Sequence, residues 1–314
     1  MSSFWKIALA LTLAVGAAFA VGCRRDADVL RAAFDDEFFT RPDGYPGLSE
    51  HYNFQFARTP RQLDIGLMYR ACADGTVDVI NAFATDGRIQ AFDLMVLEDD
   101  KHYFPPYEAA PLVRRDTLEA HPQIADALNR LGGQINDEDM QALNYAVDEE
   151  GLRADQAARD FLVEKGLLPE EFEAPARDAA AVSIGGKQFT EQEVLGEIMA
   201  LMIEAHAGLR VNRRLNLGGT MICFNALRAG DLDLYAEYTG TGLVNILDEE
   251  PTTDPEATYA RVQEAFGEQY GLAWLEPLGF NNTYTLTMRR AHAEELGIRT
   301  ISDLAAHIRG NEED

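Results

Sequence analysis

Residues 228–238 of the chain read RAGDLDLYAEY, and residues 73–83 read ADGTVDVINAF. Each segment follows a helical pattern and leads into a polar loop that contains glycine. Both have a glycine, an acid three residues after it and an aromatic residue eight after it, at Gly75 and Gly230, Asp78 and Asp233, Phe83 and Tyr238. The repeat predicts two similar α/β lobes, each placing an aromatic ring at a strand end, where α/β folds bind ligands.

Strand-like and helix-like runs alternate along most of the chain outside this repeat. Short apolar or β-branched runs bounded by turns predict strands at residues 77–83, 94–97, 182–184, 232–235 and 284–288. Apolar spacing of three to four predicts helices at residues 123–131, 137–147, 154–162, 190–207 and 254–269, and a last one from Ser302. We interpret Thr190–Glu193 as a capping box that opens its helix. The alternation predicts an α/β fold with mostly parallel sheets.

One segment separates the chain into halves. Residues 167–181, LLPEEFEAPARDAAA, contain two prolines, several acids and a run of alanines. This composition is typical of a linker. It divides residues 24–166 from residues 182–314.

The composition excludes several classes of protein. The 314 residues are 46% hydrophobic, enough for a folded core, and they carry 27 Lys and Arg against 53 Asp and Glu. The formal net charge of −26 argues against nucleic acid and anionic lipid as partners, because phosphate binding requires clustered basic residues.

Cysteine and histidine give no sign of a disulfide framework or a metal centre. The three cysteines, at 23, 72 and 223, form no C-x-x-C pair, and the six histidines form no H-x-H or H-x-x-x-H pair. We therefore expect neither a metal nor a cofactor.

The N-terminus has the pattern of a targeting segment. Lys6 precedes an apolar run at residues 7–21, which is short for a bilayer span but suits the core of a signal peptide. Small residues before Cys23 resemble a bacterial lipoprotein cleavage site, so residues 1–23 are predicted as a signal, with Cys23 lipidated. Arg24 and Arg25 leave an uncleaved anchor open, and plain secretion is a third alternative. Each places the rest of the chain outside the cytoplasm, in the periplasm or on the outer face of the cytoplasmic membrane.

Several motifs together resemble the glycine betaine/choline-binding proteins of ABC importers. In the second half they are VSIGGKQFTEQ (182–192), NLGGT (216–220), EYTGTG (237–242) and LGFNNTY (278–284). In the first half they are FFTRPDGYPGL (38–48), TDGR (85–88) and LEDDKHYFPPY (97–107). The resemblance covers about residues 29–306 and implies a two-lobed fold of the type II periplasmic binding proteins, with a hinge and a ligand cleft between the lobes.

The two sets of motifs occur in the reverse of the family's order, so the chain resembles a circular permutant. The family's architecture then implies a lobe II made of residues 26–98 and 287–314. Lobe I would be residues 105–285, and the linker 167–181 inside it would join the ancestral termini. A fragment of a tandem fusion and two halves that pair between chains remain open.

The resemblance also implies a binding site for a quaternary ammonium ligand. A trimethylammonium group donates no hydrogen bonds and is held by aromatic faces. The residues at the family's cage positions are Tyr238, Tyr284, Tyr107 and Phe83, the last where the family often has tyrosine. Those implied to meet a ligand carboxylate are Lys187, Arg41 and Thr241. Without the resemblance, none of these residues is assigned to a ligand. The aromatic residues are then core or rim residues, Lys187 is an exposed turn residue beside two glycines, and Arg41 is an ion-pair partner of Asp43.

These residues favour a binding protein over an enzyme, because no nucleophile–base pair or cofactor motif is present. We expect it to capture glycine betaine, choline, carnitine or a similar osmoprotectant for an ABC permease and its ATPase. The alternative is a ligand-sensing receptor that acts through a separate signalling partner.

Overall fold

The computed structural model describes residues 29–310. Within this range, ten strands form two five-stranded sheets, and helices flank both. The α/β class and the two-lobed arrangement expected from the sequence are confirmed. The predicted signal at residues 1–23, including Cys23, lies outside the described residues.

The first sheet is built from both ends of the described chain. Its strands are β1 (Ala32–Phe34), β2 (Arg61–Gln62), β3 (Val79–Phe83), β4 (Leu94–Val96) and β10 (Tyr284–Arg289), in the spatial order β2-β1-β3-β10-β4. The strands of the second sheet lie between them in sequence. They are β5 (Ala109–Arg114), β6 (Ala181–Gly185), β7 (Arg210–Arg214), β8 (Leu234–Tyr238) and β9 (Leu272–Trp274), in the order β7-β6-β8-β5-β9.

Both sheets are mixed, but four of the five strands in each run in the same direction, so the expectation of mostly parallel sheets holds for all strands except β10 and β5. In the first sheet β1 is parallel to β2 and β3, whereas β10 is antiparallel to β3 and β4. In the second, β6 is parallel to β7 and β8, whereas β5 is antiparallel to β8 and β9. β10 and β5 are the strands by which the chain enters one sheet from the other. They therefore begin at the edge where the parallel strands end.

The two sheets have equivalent strand orders. β3 and β8, the strands of the sequence repeat, are each the central strand of their sheet. Phe83 and Tyr238 are the last residues of these two strands. The repeat therefore places both aromatic residues at the same edge of equivalent strands.

The rest of the repeat explains how each central strand is aligned. Its two glycines have φ of +72° and +81°, a left-handed conformation that glycine adopts without strain. The Asp78 carboxylate then accepts a hydrogen bond from the Arg31 amide at 2.9 Å, and that of Asp233 from the Ser183 amide at 2.7 Å. Because these aspartates fix the turn to the neighbouring strand, β3 and β8 each begin two residues later than the sequence predicts.

The helices connect strands and cover the sheets. In chain order they are α1 (Asp36–Thr40), α2 (Tyr45–Tyr52), α3 (Ile65–Ala73), α4 (Arg88–Ala91), α5 (Arg115–Ala120), α6 (Gln123–Leu128), α7 (Asp137–Asp148), α8 (Ala154–Glu164), α9 (Thr190–His206), α10 (Thr220–Ala229), α11 (Pro255–Tyr270), α12 (Arg290–Leu296) and α13 (Ile301–Gly310). A 3₁₀ turn (Asn129–Leu131) extends α6, and a π-helical turn (Thr241–Ile246) follows β8. Among residues 29–310, no helix has the length and apolar character needed to cross a bilayer.

Helix α9 is the central helix on the side of the second sheet. Twelve of its 17 residues are buried, and it packs against α6, α7 and α8. It starts at Thr190 as expected, but the predicted capping box is wrong. The N-cap residue is Phe189, which makes no side-chain cap, and the Thr190 hydroxyl instead donates to Asp148 at 2.6 Å. Glu191 and Gln192, which follow in the first turn of α9, are buried in the interior.

Candidate functional site

A cavity of about 430 Å³ lies between the two sheets, at the edge where β3 and β8 end. This volume is in the range of small-molecule sites, roughly 300–1,000 Å³. Both sheets contribute to its lining. The lining includes all seven residues that the sequence predicted for the site: Arg41, Phe83, Tyr107, Lys187, Tyr238, Thr241 and Tyr284.

Strand register brings the predicted rings together. Tyr284 is the first residue of β10 and pairs with Phe83, the last residue of β3, because these strands are antiparallel. Their ring centroids are 5.3 Å apart. Tyr107 lies just before β5 and meets the Tyr284 ring edge to face at 5.5 Å. Three rings from three segments therefore form one continuous aromatic wall.

A fourth wall residue, Phe189, was missed. Its ring is parallel to that of Phe83, with centroids 5.6 Å apart and an angle of 4° between planes. It also stacks on Tyr238 at 6.4 Å, so it joins the aromatic residues of the two sheets. The signal was present in the sequence, because Phe189 lies two residues after Lys187 in the quoted GGKQF motif.

The hydroxyls of two cavity tyrosines, Tyr107 and Tyr238, are held by buried carboxylates. The Tyr107 hydroxyl donates to Asp43 at 2.7 Å, and the Tyr238 hydroxyl donates to Glu191 at 2.7 Å. Burial raises the pKa values of both tyrosines well above the ordinary value, so both remain neutral donors. These hydrogen bonds fix the orientation of two rings.

Lys187 enters the cavity from the second sheet. Its ammonium nitrogen lies 2.5 Å from the Glu237 carboxylate, and both side chains are almost fully buried. The same nitrogen lies 5.1 Å from the centroid of the Tyr238 ring. A face of Tyr238 thus already carries a cation, which is the interaction that a quaternary ammonium group needs.

Arg41 enters from the first sheet and combines the two roles considered for it. It forms a bidentate pair with Asp43 at 2.8 and 2.6 Å, and it donates to the Thr241 hydroxyl across the cleft at 3.2 Å. Its guanidinium carbon lies 5.5 Å from the Tyr284 ring centroid. Arg41 is therefore an ion-pair partner and a lining residue at once.

A buried acid lies behind the rings and was not predicted. Glu191 accepts hydrogen bonds from four side chains of both lobes: Thr85 at 2.5 Å, Tyr238 at 2.7 Å, Asn282 at 2.8 Å and Asn144 at 3.2 Å. Burial raises the pKa of Glu191 despite these donors. The sequence reading assigned Glu191 to a helix start, so its inward direction was not anticipated.

The lining as a whole suits a small organic cation. Aromatic faces attract a diffuse positive charge, and buried carboxylates favour it further. In the described part of the chain, no three or more His, Cys, Asp and Glu side chains are grouped so as to hold a metal ion.

Comparison with known proteins identifies relatives of the chain. Residues 23–164 and 180–312 match the family described as the substrate binding domain of ABC-type glycine betaine transport system. The resemblance stated from the motifs is thereby confirmed. The match falls into two segments, separated by residues 165–179.

Individual relatives match over about half of their length. A glycine-betaine-binding protein of Pseudomonas aeruginosa is 43% identical over 139 residues, which are 44% of this chain and 45% of the relative. A carnitine transport binding protein of Listeria monocytogenes is 38% identical over 141 residues, with the same two shares. A chemotactic signal transduction system substrate-binding protein of Halobacterium salinarum is 24% identical over 131 residues, 41% of this chain and 39% of the relative.

Among solved structures, a glycine betaine/carnitine/choline ABC transporter matches at 37% identity with a TM-score of 0.36. The match covers 45% of this chain and 51% of that chain.

Proposed function

Because the chain belongs to the family of substrate-binding domains of ABC-type glycine betaine transport systems, we propose that it captures a quaternary ammonium compound in the cleft between its sheets. It works outside the cytoplasm and delivers the ligand to an ABC permease driven by its ATPase. Glycine betaine, carnitine and choline are the ligands considered.

One observation carries the proposal. Seven residues, taken from positions 41 to 284 by their motifs alone, line a single cavity of about 430 Å³. Unrelated core or rim residues would be expected at scattered places in the molecule. Their convergence supports a common role in ligand binding.

The rings take the quaternary nitrogen. Tyr238, Tyr284, Tyr107 and Phe83 present their faces or edges to the cavity, and Phe189 completes the stack between the two sheets. Each good cation–ring contact contributes roughly 0.5–2 kcal/mol.

The polar groups take the other end of the ligand. Lys187 and Thr241 belong to the second sheet's side of the cleft and Arg41 to the first. A ligand that contacts both sides stabilises the closed arrangement, so binding is coupled to closure about a hinge.

The chain order is that of a circular permutant, with lobe II from residues 26–98 and 287–314 and lobe I from residues 105–285. Two observations support this proposal. The family match breaks at residues 165–179, and the first sheet combines β1–β4 with β10 from the other end. If the chain is a permuted monomer, scattering should give the molar mass of one chain. A molar mass of two chains, with no monomer present, would instead favour halves that pair between chains.

Anchoring through Cys23 is the favoured route to the membrane surface. Replacing Cys23 by serine should then release the protein from membranes and abolish labelling with a radioactive fatty acid. Retention of the variant in the membrane would favour an uncleaved anchor instead.

Calorimetry of the purified chain with glycine betaine, carnitine and choline tests the function. We expect a dissociation constant in the micromolar range or below for at least one of them, without turnover. Absence of heat with all three would reject the proposal.

A second candidate is a ligand-sensing receptor, favoured by the relative from Halobacterium salinarum whose name assigns it to chemotactic signalling. Uptake assays in cells lacking the gene separate the two, because a sensor is dispensable for import.

A further inference from the structure

The carboxylate of Glu37 crosses the cleft. Glu37 lies in the first turn of α1, on the side of the first sheet. One of its oxygens accepts a hydrogen bond from the Thr220 amide at 2.5 Å, and the other accepts from the Thr220 hydroxyl at 3.0 Å. The second oxygen also lies 3.4 Å from the Arg41 guanidinium. An acid of one lobe is therefore bound at the start of α10 in the other.

The backbone around Thr220 is shaped for this carboxylate. A Cβ atom on Gly219 would lie 2.4 Å from the Glu37 oxygen, so only glycine permits the approach. The N-terminus of α10, a ten-residue helix, offers amide donors and the positive end of the helix dipole. Gly219, Thr220 and Arg41 thus form an anion cradle at the cavity wall, and the chain's own acid fills it.

The charged side chains around the cavity already have a net negative charge. Lys187 is paired with Glu237 and Arg41 with Asp43, each pair at 2.5–2.6 Å. Glu37 adds a third carboxylate. Burial alone would raise the pKa of Glu37, but the charges of Lys187 and Arg41 and the bonds from Thr220 outweigh it and lower the pKa. Glu37 is therefore ionised at neutral pH.

A ligand carboxylate would meet an unfavourable environment here. It would have to displace Glu37 from the cradle or be buried beside three carboxylates and two cations that already have partners. Burying a charge without a free partner is costly. A ligand that has a hydroxyl at the same place avoids this cost, because a hydroxyl can donate to Glu37.

On the basis of the proposed function, we propose that Glu37 is a specificity-determining residue. By occupying the anion cradle at Gly219 and Thr220, it makes the cleft prefer quaternary ammonium ligands without a carboxylate, such as choline, over betaines.

Choline and glycine betaine are a matched pair of probes, since they differ only in a hydroxymethyl group against a carboxylate. Calorimetry of the wild-type chain should show choline binding at least about tenfold more tightly, the effect of one charge-assisted hydrogen bond. Glu37→Gln removes the charge and should shift the ratio of the two dissociation constants toward glycine betaine by about tenfold or more. Glu50→Gln makes the same chemical change at an exposed position outside the cavity and should leave the ratio unchanged.

A second variant leaves the charge of Glu37 in place. Gly219→Ala puts a methyl group where the Glu37 oxygen lies, and the flexible acid can move away without unfolding the protein. This variant should shift the ratio in the same direction as Glu37→Gln.

The outcomes are distinct. Equal binding of the two ligands by the wild type, or a preference for glycine betaine, overturns the role of Glu37 but leaves the proposed function standing. The same follows if Glu37→Gln weakens both ligands equally, because Glu37 would then only hold the cleft closed. Failure of the wild type to bind any quaternary amine rejects the proposed function itself, and the inference with it.

Discussion

The two sheets that flank the cleft have equivalent strand orders but hold their aromatic residues in different ways. Tyr238 at the end of β8 is 5% exposed, donates its hydroxyl to Glu191 at 2.7 Å and accepts from Gln192 at 3.1 Å. Phe83 at the end of β3 has no hydroxyl, is only half-buried, and is held by stacking on Phe189. The repeated backbone decides where each ring lies, whereas its side-chain partners decide how rigidly it is held.

The largest effect on ligand affinity is expected at Tyr238, whose ring is held by hydrogen bonds. Tyr238→Ala removes a ring face from the cavity and leaves Glu191 and Gln192 without a shared partner. Affinity for the best-bound quaternary amine should fall about tenfold or more, as measured by calorimetry.

Tyr238→Phe is the matched control, since it keeps the ring and removes only the hydroxyl. It should retain most of the affinity. An unchanged dissociation constant in a Tyr238→Ala protein that still melts cooperatively would remove Tyr238 from the site.

A smaller effect on ligand affinity is expected at Phe83, whose ring is held by stacking. Phe83→Ala should weaken binding by about three- to tenfold, because Phe189 and Tyr284 still cover part of the same space. Phe83→Tyr adds the hydroxyl that the second sheet has and should stay within about threefold of the wild type. If Phe83→Ala proved more harmful than Tyr238→Ala, the comparison of the two sheets would be reversed.

The smallest expected effect is on the pH dependence of stability, and it distinguishes Glu37 on the side of the first sheet from Glu191 on the side of the second. The pKa of Glu37 is lowered in the folded protein, so between that value and about 4.5 the unfolded chain binds more protons and stability rises with pH. Burial raises the pKa of Glu191, so from about 4.5 upward the folded chain binds more protons and stability falls as pH rises through the raised value.

Melting temperatures measured between about pH 3 and pH 7 test this contrast. Glu37→Gln should flatten the rise of stability on the acid side, and Glu191→Gln should remove the decline above it. Identical slopes in the wild type and both variants would show that neither acid has a shifted pKa.

Much of the fold could be predicted from the sequence, and the predictions that were wrong or incomplete have physical causes. Apolar runs located β3, β4, β6, β8 and β10 to within a few residues, because burial of alternating or continuous apolar side chains is a local property of the sequence. The antiparallel direction of β5 and β10 was missed, because it depends on how the chain crosses between the sheets. The capping box was wrong because Thr190 found a partner, Asp148, on another helix.

The candidate site divides in the same way. The motifs supplied seven lining residues through the family resemblance, and Phe189 could have been added from the same motif. Glu37 and Glu191 could not, because each acts through residues far away in sequence. Glu37 and its partner Thr220 are 183 positions apart, and Glu191 and Thr85 are 106 apart.

The sequence by itself therefore determined the strand-end aromatic residues and their duplication, since periodicity, turn glycines and short motifs are written in neighbouring residues. Only the tertiary structure decided the charge balance of the cleft. Whether a lysine, an arginine or an acid can contact a ligand depends on which other side chains lie within hydrogen-bonding distance of it. Most of those partners are distant in sequence and become neighbours only when the chain folds, so the local sequence does not reveal them.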